Sequence, residues 1–520
     1  MPDILPVLLM LSSVLPKTKC RQLHHILEAM LAMTGRITQR GIARWTDRGG
    51  SYRTVHRFFH TKIDWLALQW RFFELFVYDP EAVYLLAGDE TVISKAGKRT
   101  HGLDRFFSSL ADKPIPGISC FSLALVNVGK RAAYSLSNEQ MIRTQDEKEQ
   151  IRKRKEEQKK RAAKKGKGPS KPRGRPKGSK NKNKAEVTLS PELTRILEQA
   201  RKAQALFQKK LKVAYFVLDG HFGNHLACHM VRQLGLHLLS RMRSDASLWL
   251  EPTEQEKAEH PRLKYGARLD YKKLPNERLC SEVTEDGYCT RIYQLTCLHK
   301  EFAERLNIVV VVRTHLGSGR VGHVVLFSTD LCLEAQTLID YYRLRFQIEF
   351  TFRDAKQHFG LEDFMGIRET SVANGLGLPF FVGNVARYLL EDFRERCPGA
   401  GLSDLRSFYR GRHYLQRLLK MLPDRPDGIV CERLLEQRSA LLPQARGADG
   451  AADGSVRRPL RTGLLRLPQL SQVPAGRQGG RQPGHLRART PPGRGLRGSP
   501  PGAQREVFAR PYRVEVGIIR

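Results

Sequence analysis

The sequence predicts an α/β fold. Two strongly apolar segments have strand character, residues 83–89 and residues 213–218. The first ends in Asp89, and the second is followed directly by Asp219. A helical pattern with an apolar face begins near Leu333. With 520 residues, of which 41% are hydrophobic, the chain is long enough to bury a large core around such a sheet.

The first 80 residues are expected to be a helical, DNA-binding region (1–80). Residues 37–59 contain two short amphipathic segments separated by Gly49 and Gly50. Arg53 and Arg57 lie on the second segment, so one interpretation is a helix-turn-helix that places this helix in the DNA major groove. A plain helical hairpin packed on the core explains the same pattern, and both interpretations stay open.

The remaining chain divides by its strand and helix patterns. The core begins in residues 81–142, with strands at 82–89, 118–128 and 132–136, and continues in residues 189–250, with a helix at 191–208 and strands at 213–218 and 236–242. Residues 251–328 predict a β-strand insertion from alternating stretches at 263–269, 288–295, 308–313 and 322–328. Residues 329–440 are expected to hold a long helix and the last helices of the core.

The charge of the chain is strongly positive. Lys and Arg number 89 against 53 Asp and Glu, which gives a net charge of +36 and a pI near 10.1. This balance excludes most ordinary metabolic enzymes and indicates a polyanionic partner, most readily nucleic acid. Most of the excess lies in residues 143–184, with a net +14, and in residues 441–520, with a net +11.

The basic segment within residues 143–188 predicts a disordered or partly helical insertion, because it has too few apolar side chains to bury a core. Its run PRGRP at 172–176 resembles an AT-hook. In that interpretation Arg173 and Arg175 lie along a narrow A·T-rich minor groove. A solvated basic linker that contacts phosphates without preference is the equal alternative.

The tail, residues 441–520, differs in kind from the rest. It contains 13 Gly and 10 Pro but no Lys, and it has neither helical nor strand periodicity. An abrupt change to Arg, Gly, Pro and Ala is typical of a GC-rich gene read out of frame, and we hypothesise a frameshift near residue 440. A disordered, nucleic-acid-binding tail is the alternative.

The sequence favours a cytoplasmic location, because it shows neither a membrane-spanning segment nor a secretory signal. The longest apolar run, residues 372–390, is interrupted by polar residues and Pro379, so no membrane association is expected. The N-terminus lacks the basic region of a secretory signal. Nine cysteines without a C-x-x-C motif fit a reducing cytoplasm. The group formed by Cys280, Cys289, Cys297 and His299 matches no zinc-binding spacing.

One helix carries a row of functional side chains. Tyr342, Arg345, Glu349 and Lys356 stand at offsets 0, 3, 7 and 14, which on a regular helix fall within an arc of about 60°. An Arg345–Glu349 ion pair on a solvated face is the simple explanation. Alternatively, Glu349 meets the two aspartates, and three buried carboxylates then require a divalent cation, Mg²⁺ or Mn²⁺.

These residues resemble a known family. The spacing Y-x2-R-x3-E-x6-K is the signature of a large group of bacterial DDE insertion-sequence transposases, and Asp89 and Asp219 look like the other two catalytic acids of that group. The resemblance implies a ribonuclease-H-like catalytic core with a β-strand insertion. It also implies two-metal phosphoryl transfer, in which Asp89 bridges both ions while Asp219 and Glu349 hold one each.

The resemblance further implies that Tyr342, Arg345 and Lys356 position DNA phosphates near the cut. The expected partners are double-stranded DNA, both the terminal inverted repeats of the element and the target, and a second copy in a homodimeric synaptic complex near the nucleoid. Trp249 is the only Trp after residue 70, which weighs against hairpin opening on a tryptophan. A metal-dependent nuclease, or a decayed transposase that only binds DNA, are the rival functions.

Overall fold

The computed structural model describes residues 4–46, 51–108, 111–164, 187–422 and 430, with side chains omitted for 161–164. The AT-hook-like Arg173 and Arg175 and the tail 441–520 therefore lie outside the described residues. Within the described part, no helix has the length and apolarity that a membrane crossing requires.

The N-terminal region is helical, as predicted. Its helices are α1 (Ile4–Leu9), α2 (Lys17–Ala32), α3 (Gln39–Trp45), α4 (Tyr52–Phe59) and α5 (Trp65–Phe76). On α4, Val55, Phe58 and Phe59 are buried, whereas Arg53 and Arg57 are exposed. The burial of one apolar stripe explains why so short a segment is helical at all.

A large mixed sheet forms the centre of the described chain. Its strands are β1 (Tyr84–Ser94), β2 (Asp104–Ser108), β3 (Lys113–Asn127), β4 (Ala132–Gln140), β5 (Tyr215–Leu218), β6 (His237–Met242), β7 (Leu248–Trp249), β8 (Leu279–Glu285), β9 (Tyr288–His299), β10 (Leu306–His315) and β11 (Val321–Ser328). Their order is β2-β3-β1-β5-β6-β11-β10-β9-β7, with β4 paired to β3 and β8 to β9. Only the β1–β5 and β5–β6 pairs among these are parallel.

Strand β1 is longer than predicted, so Asp89 does not end its strand. Antiparallel pairing with the 15-residue β3 continues to Ser94, and this long-range pairing keeps the backbone extended past the aspartate. By contrast, β5 ends at Leu218, opposite Gly88. A Cβ on Gly88 would lie 2.8–2.9 Å from Phe121, Leu218 and Phe216, which explains the glycine at this crowded position.

The predicted β insertion is part of the central sheet. Strand β11 pairs with β6 and thereby joins β10, β9 and β8 to the same sheet. The stretch 263–269 was expected to be a strand, but it makes only an isolated bridge between Trp249 and Arg268. Gly266 lies directly against the backbone of Glu251, and this close crossing replaces a regular ladder.

The remaining helices lie between the strands or after the last strand in the chain order. They are α6 (Gln145–Lys164), α7 (Pro191–Phe207), α8 (His225–Arg232), α9 (Glu254–Glu259), α10 (Ala335–Leu344), α11 (Gln347–Gln357), α12 (Glu369–Arg396) and α13 (Leu402–Met421). The first part of the insertion, which was expected to be disordered or partly helical, is therefore helical. Arg195 donates to both carboxylate oxygens of Glu147, at 3.1 and 2.9 Å, and so joins α6 to α7.

Two buried asparagines on α12 join the N-terminal helices to the sheet. Asn374 accepts from the Trp65 indole at 2.9 Å and donates to the carbonyls of Phe59 and Thr61, both at 2.8 Å. Asn384 accepts from the Ser135 amide at 3.0 Å and donates to its carbonyl at 2.7 Å. Because of these bonds, α4 and α5 are part of the core and not a separately tethered module.

We predict that Asn374→Ala lowers the free energy of unfolding by about 2–4 kcal/mol, because it leaves several buried polar groups without partners. Urea denaturation of the purified protein measures this change. The matched control is Asn276→Ala at an exposed position, for which the expected change is within about 0.5 kcal/mol. Equal stability of the two variants would contradict the assigned role of Asn374.

Candidate active site

Two aspartates meet where the parallel strands β1 and β5 run side by side. Gly88 is opposite Leu218 in the register, so Asp89 and Asp219, the next residues of each strand, follow at the same level. The Asp219 carboxylate accepts from the His221 amide, and the Ser240 hydroxyl donates to the Asp219 carbonyl at 2.7 Å. The turn after Asp219 is thereby held against β6.

Arg345 connects Asp89 to the third acid. Its guanidinium donates to Asp89 Oδ2 at 2.7 Å and to Glu349 Oε1 at 3.0 Å. The Arg345 side chain is only 13% exposed. The simple ion pair considered from the sequence is therefore present, but it is part of a bridge that joins β1 to α11, in which Arg345 and Asp89 are shielded from solvent while the Glu349 side chain is 38% exposed.

The predicted long helix is interrupted at this bridge. The amides of Arg345, Phe346 and Glu349 bond to carbonyls three residues earlier, at 3.3, 3.0 and 3.1 Å. This tighter turn separates α10 from α11 and changes the angular positions expected for a regular helix. Arg345 and Glu349 still reach one cluster, because both ends of the break face Asp89.

The electrostatics of the cluster show a shortage of positive charge. Burial raises the pKa of Asp89, Arg345 opposes this shift, and the nearby Asp219 and Glu349 add to it, so that the pKa lies at about 6. Burial also raises the pKa of Glu349, again against the effect of Arg345. Burial alone would lower the pKa of Arg345, but Asp89 and its neighbours raise it overall. One guanidinium thus serves three carboxyl groups.

The other two residues of the signature, Tyr342 and Lys356, lie at different distances from the acids. Tyr342 is buried, and burial raises the pKa of its hydroxyl, with Arg345, Arg241 and Asp219 all acting on it. Lys356 donates to the Val92 carbonyl at 3.0 Å and lies 3.7 Å from Glu362. The structure therefore places Tyr342 beside the acids and joins Lys356 to the far end of β1.

The remaining predicted DNA contacts lie elsewhere. Arg53 and Arg57 are exposed on α4 and do not belong to the acidic cluster, and Arg173 and Arg175 fall outside the described residues. Three further charged groups were not singled out from the sequence: Arg241, which acts on Tyr342, and Glu90 and Glu192, which act on each other. Arg241 was detectable because it lies in strand β6, next to the strand that ends before Asp219.

The donor chemistry of the three acids fits Mg²⁺ or Mn²⁺, because all their ligating atoms are carboxylate oxygens. Their positions are not preassembled around one ion, however. Among the described residues, only His24, His25 and Glu28 bring three ligating atoms within 4.8 Å of one another. Arg345 stands between Asp89 and Glu349, so a shared ion there requires the guanidinium to move.

The model of a family described as DDE superfamily endonuclease matches residues 10–291. This segment includes Asp89 and Asp219 and ends before Glu349. No curated protein matches the chain.

We predict that Arg345→Gln raises the affinity of the DNA-free protein for Mn²⁺ about tenfold, because a cation that competes for the same carboxylates is removed. Mn²⁺ titration followed by electron paramagnetic resonance at pH 8 measures the affinity. The control is Arg353→Gln on the same helix, where the side chain is 44% exposed and pairs with Asp354. A lower Mn²⁺ affinity of Arg345→Gln than of the control would contradict the competition.

A second prediction concerns pH. A metal ligand must lose its proton, and the pKa of Asp89 is raised to about 6, so Mn²⁺ affinity should increase steeply as the pH rises through this value. Because the pKa of Asp89 is raised in the fold, the protonated carboxyl contributes to the stability of the metal-free protein at low pH. This contribution is lost as the pH rises through about 6 and the carboxyl ionises. Both dependences should be weaker in the Asp89→Asn variant, in which Glu349 still titrates, and a wild-type affinity that stays constant around pH 6 would oppose the assignment.

Proposed function

The chain belongs to the DDE superfamily endonuclease family, whose model matches more than half of its residues, and we propose that it is the transposase of an insertion sequence. In this proposal it binds the terminal inverted repeats, cleaves them in a metal-dependent reaction and joins them to target DNA by cut-and-paste transposition. The observation that carries the proposal is the cluster in which Asp89 and Asp219 lie on adjacent parallel strands and Arg345 joins Asp89 to Glu349.

The architecture supports a ribonuclease-H-like core. Three antiparallel strands, β1, β3 and β4, continue into two parallel strands, β5 and β6. This mixed sheet places both aspartates at one level and brings α11 with Glu349 against β1. Ligands of α/β sheets bind where parallel strands end, and Asp219 follows the end of β5.

The acids would hold the divalent ions. Asp89 would bridge two sites, and Asp219 and Glu349 would each complete one. Bound Mg²⁺ or Mn²⁺ supplies Lewis-acid chemistry, namely activation of water or a DNA 3′-hydroxyl and stabilisation of the leaving oxygen. The chain itself needs no Ser or Tyr nucleophile in this chemistry.

The cationic residues would position the DNA. Once released from the carboxylates, the Arg345 guanidinium is within reach of a phosphate next to Asp89, and a guanidinium can donate two parallel hydrogen bonds to it. Tyr342 lies beside Arg345 and would orient it. Exposed Arg53 and Arg57 would contact DNA farther from the cut. Lys356, which is bound to Val92, would act by holding α11 on β1.

A synaptic complex would pair two DNA ends, and we propose a homodimer for this state. The positive charge of +36 would favour association with DNA in a salt-dependent way. The basic insertion would add phosphate contacts that do not depend on the DNA sequence. Its helix α6 is joined to α7 by Glu147 and Arg195.

We predict that Asp89→Asn, Asp219→Asn and Glu349→Gln each reduce DNA cleavage at least about a thousandfold, because each removes a charged metal ligand while keeping the side-chain volume. The assay uses a labelled duplex of the DNA that flanks the gene, with Mg²⁺. Affinity for the same duplex without metal should change less than about twofold. Asp245→Asn, at a side chain that is 74% exposed, is the matched control.

The products decide between the candidate functions. Cleavage followed by joining to a second DNA establishes a transposase. Cleavage without joining would favour a metal-dependent nuclease on the same fold. Binding with no cleavage by the wild type would favour a decayed transposase. Wild-type cleavage by Asp89→Asn would overturn the assignment of the acids.

A further inference from the structure

A groove of about 800 Å³ lies between the N-terminal helices and the loop that follows α11. One wall is formed by α3 and α4, and the other by residues 363–368 and the start of α12. We call it the α4 groove. It is separate from the acidic cluster, and the proposed chemistry makes no use of it.

A row of aromatic rings forms the α4 wall. Tyr52, His56 and His60 follow one another four residues apart, and all three line the groove. The ring centroids of Tyr52 and His56 are 5.8 Å apart, and those of His56 and His60 are 4.1 Å apart and stacked. Tyr52 is 42% exposed. Exposed rings such as those of Tyr52 and His56 provide a surface on which nucleic-acid bases can stack.

Two exposed apolar side chains stand on the opposite wall. Met365 is 61% exposed and Ile367 is 58% exposed, which is unusual for large apolar residues so close together. The loop that carries them is held in place. The Phe364 carbonyl accepts from Lys95 Nζ at 2.8 Å, and the Ile367 carbonyl accepts from the His101 amide at 3.0 Å.

The rim of the groove is positively charged. Arg40, Arg57 and Arg368 line it, and the Arg40 guanidinium lies 5.8 Å from the centre of the Tyr52 ring. The acidic residue in the lining, Asp363, is already paired with Arg36 at 3.0 Å and with the Ile37 amide at 2.9 Å. The groove therefore offers three cations around an aromatic and apolar interior, which is complementary to a strand of phosphates and bases.

This arrangement differs from a helix that reads a major groove. A recognition helix must protrude so that it can enter the duplex, whereas α4 faces a second wall with Met365 and Ile367. We propose that the α4 groove binds an unpaired stretch of DNA strand, with bases stacked on Tyr52 and His56 and against Met365, and phosphates on Arg40, Arg57 and Arg368.

The groove is connected to the candidate active site through β1. Lys95, which contacts the loop at Phe364, follows the last residue of the strand that carries Asp89. Six residues of extended strand span about 20 Å. An unpaired strand held in the α4 groove would therefore leave the duplex within a short distance of the reacting phosphate. In this respect the inference rests on the proposed function, which makes DNA the substrate.

The test measures binding of two probes to the full chain without metal, by fluorescence anisotropy: a labelled oligothymidine and a labelled mixed-sequence duplex. Tyr52→Leu and, separately, Met365→Ser should weaken oligothymidine binding about tenfold and about threefold, as expected for loss of base stacking. Duplex affinity should change less than about twofold. Tyr52→Phe should bind as the wild type does, because it keeps the ring.

Tyr414→Leu is the control, because Tyr414 is 47% exposed on α13 and does not line the groove. Equal losses on both probes would overturn the proposal in favour of duplex reading by α4, and no loss with either variant would overturn it altogether. Since no metal is present, the result does not depend on cleavage. Failure of the acid-to-amide variants to abolish cleavage would therefore count against the proposed function alone.

Discussion

The guanidinium of Arg345 joins two carboxylates from separate elements, Asp89 on β1 and Glu349 on α11. Buried carboxylates are costly unless a cation accompanies them, and the raised pKa of Asp89 shows that one guanidinium offsets this cost only in part. The cluster thus needs additional positive charge. In the proposed function a divalent ion would supply it, and the displaced guanidinium would then be available to a phosphate. Metal binding and DNA binding are coupled in this account through one side chain.

The surrounding fold fixes where the two acids of the sheet stand. The parallel register of β1 and β5 places Asp89 and Asp219 at one level, and the residues around Gly88 leave no room for a side chain there. Asn374 and Asn384 join α4, α5 and β4 to the buried helix α12. The α4 groove and the acidic cluster are consequently held by one packed core.

Local patterns in the sequence were sufficient for part of this structure. The apolar runs before Asp89 and Asp219 predicted β1 and β5, and the spacing of Arg345 and Glu349 predicted their shared face. Long-range contacts explain what was not predicted. The extension of β1 past Asp89 depends on pairing with β3. The break between α10 and α11 occurs where Arg345 bonds to Asp89, a residue 256 positions away. Lys356 bonds to the Val92 carbonyl and not to the acids. No local pattern contains these partners.

The central claim, that Asp89 is a metal ligand in DNA cleavage, is tested most directly by changing the ligand atom and the metal together. Asp89→Cys replaces an oxygen ligand by sulfur, which Mg²⁺ binds poorly and the softer Mn²⁺ tolerates better. The account predicts that the full-length Cys variant cleaves DNA weakly in Mg²⁺ and recovers substantially in Mn²⁺, while the wild type differs little between the two. Cleavage by Asp89→Cys in Mg²⁺ at the wild-type rate would contradict it.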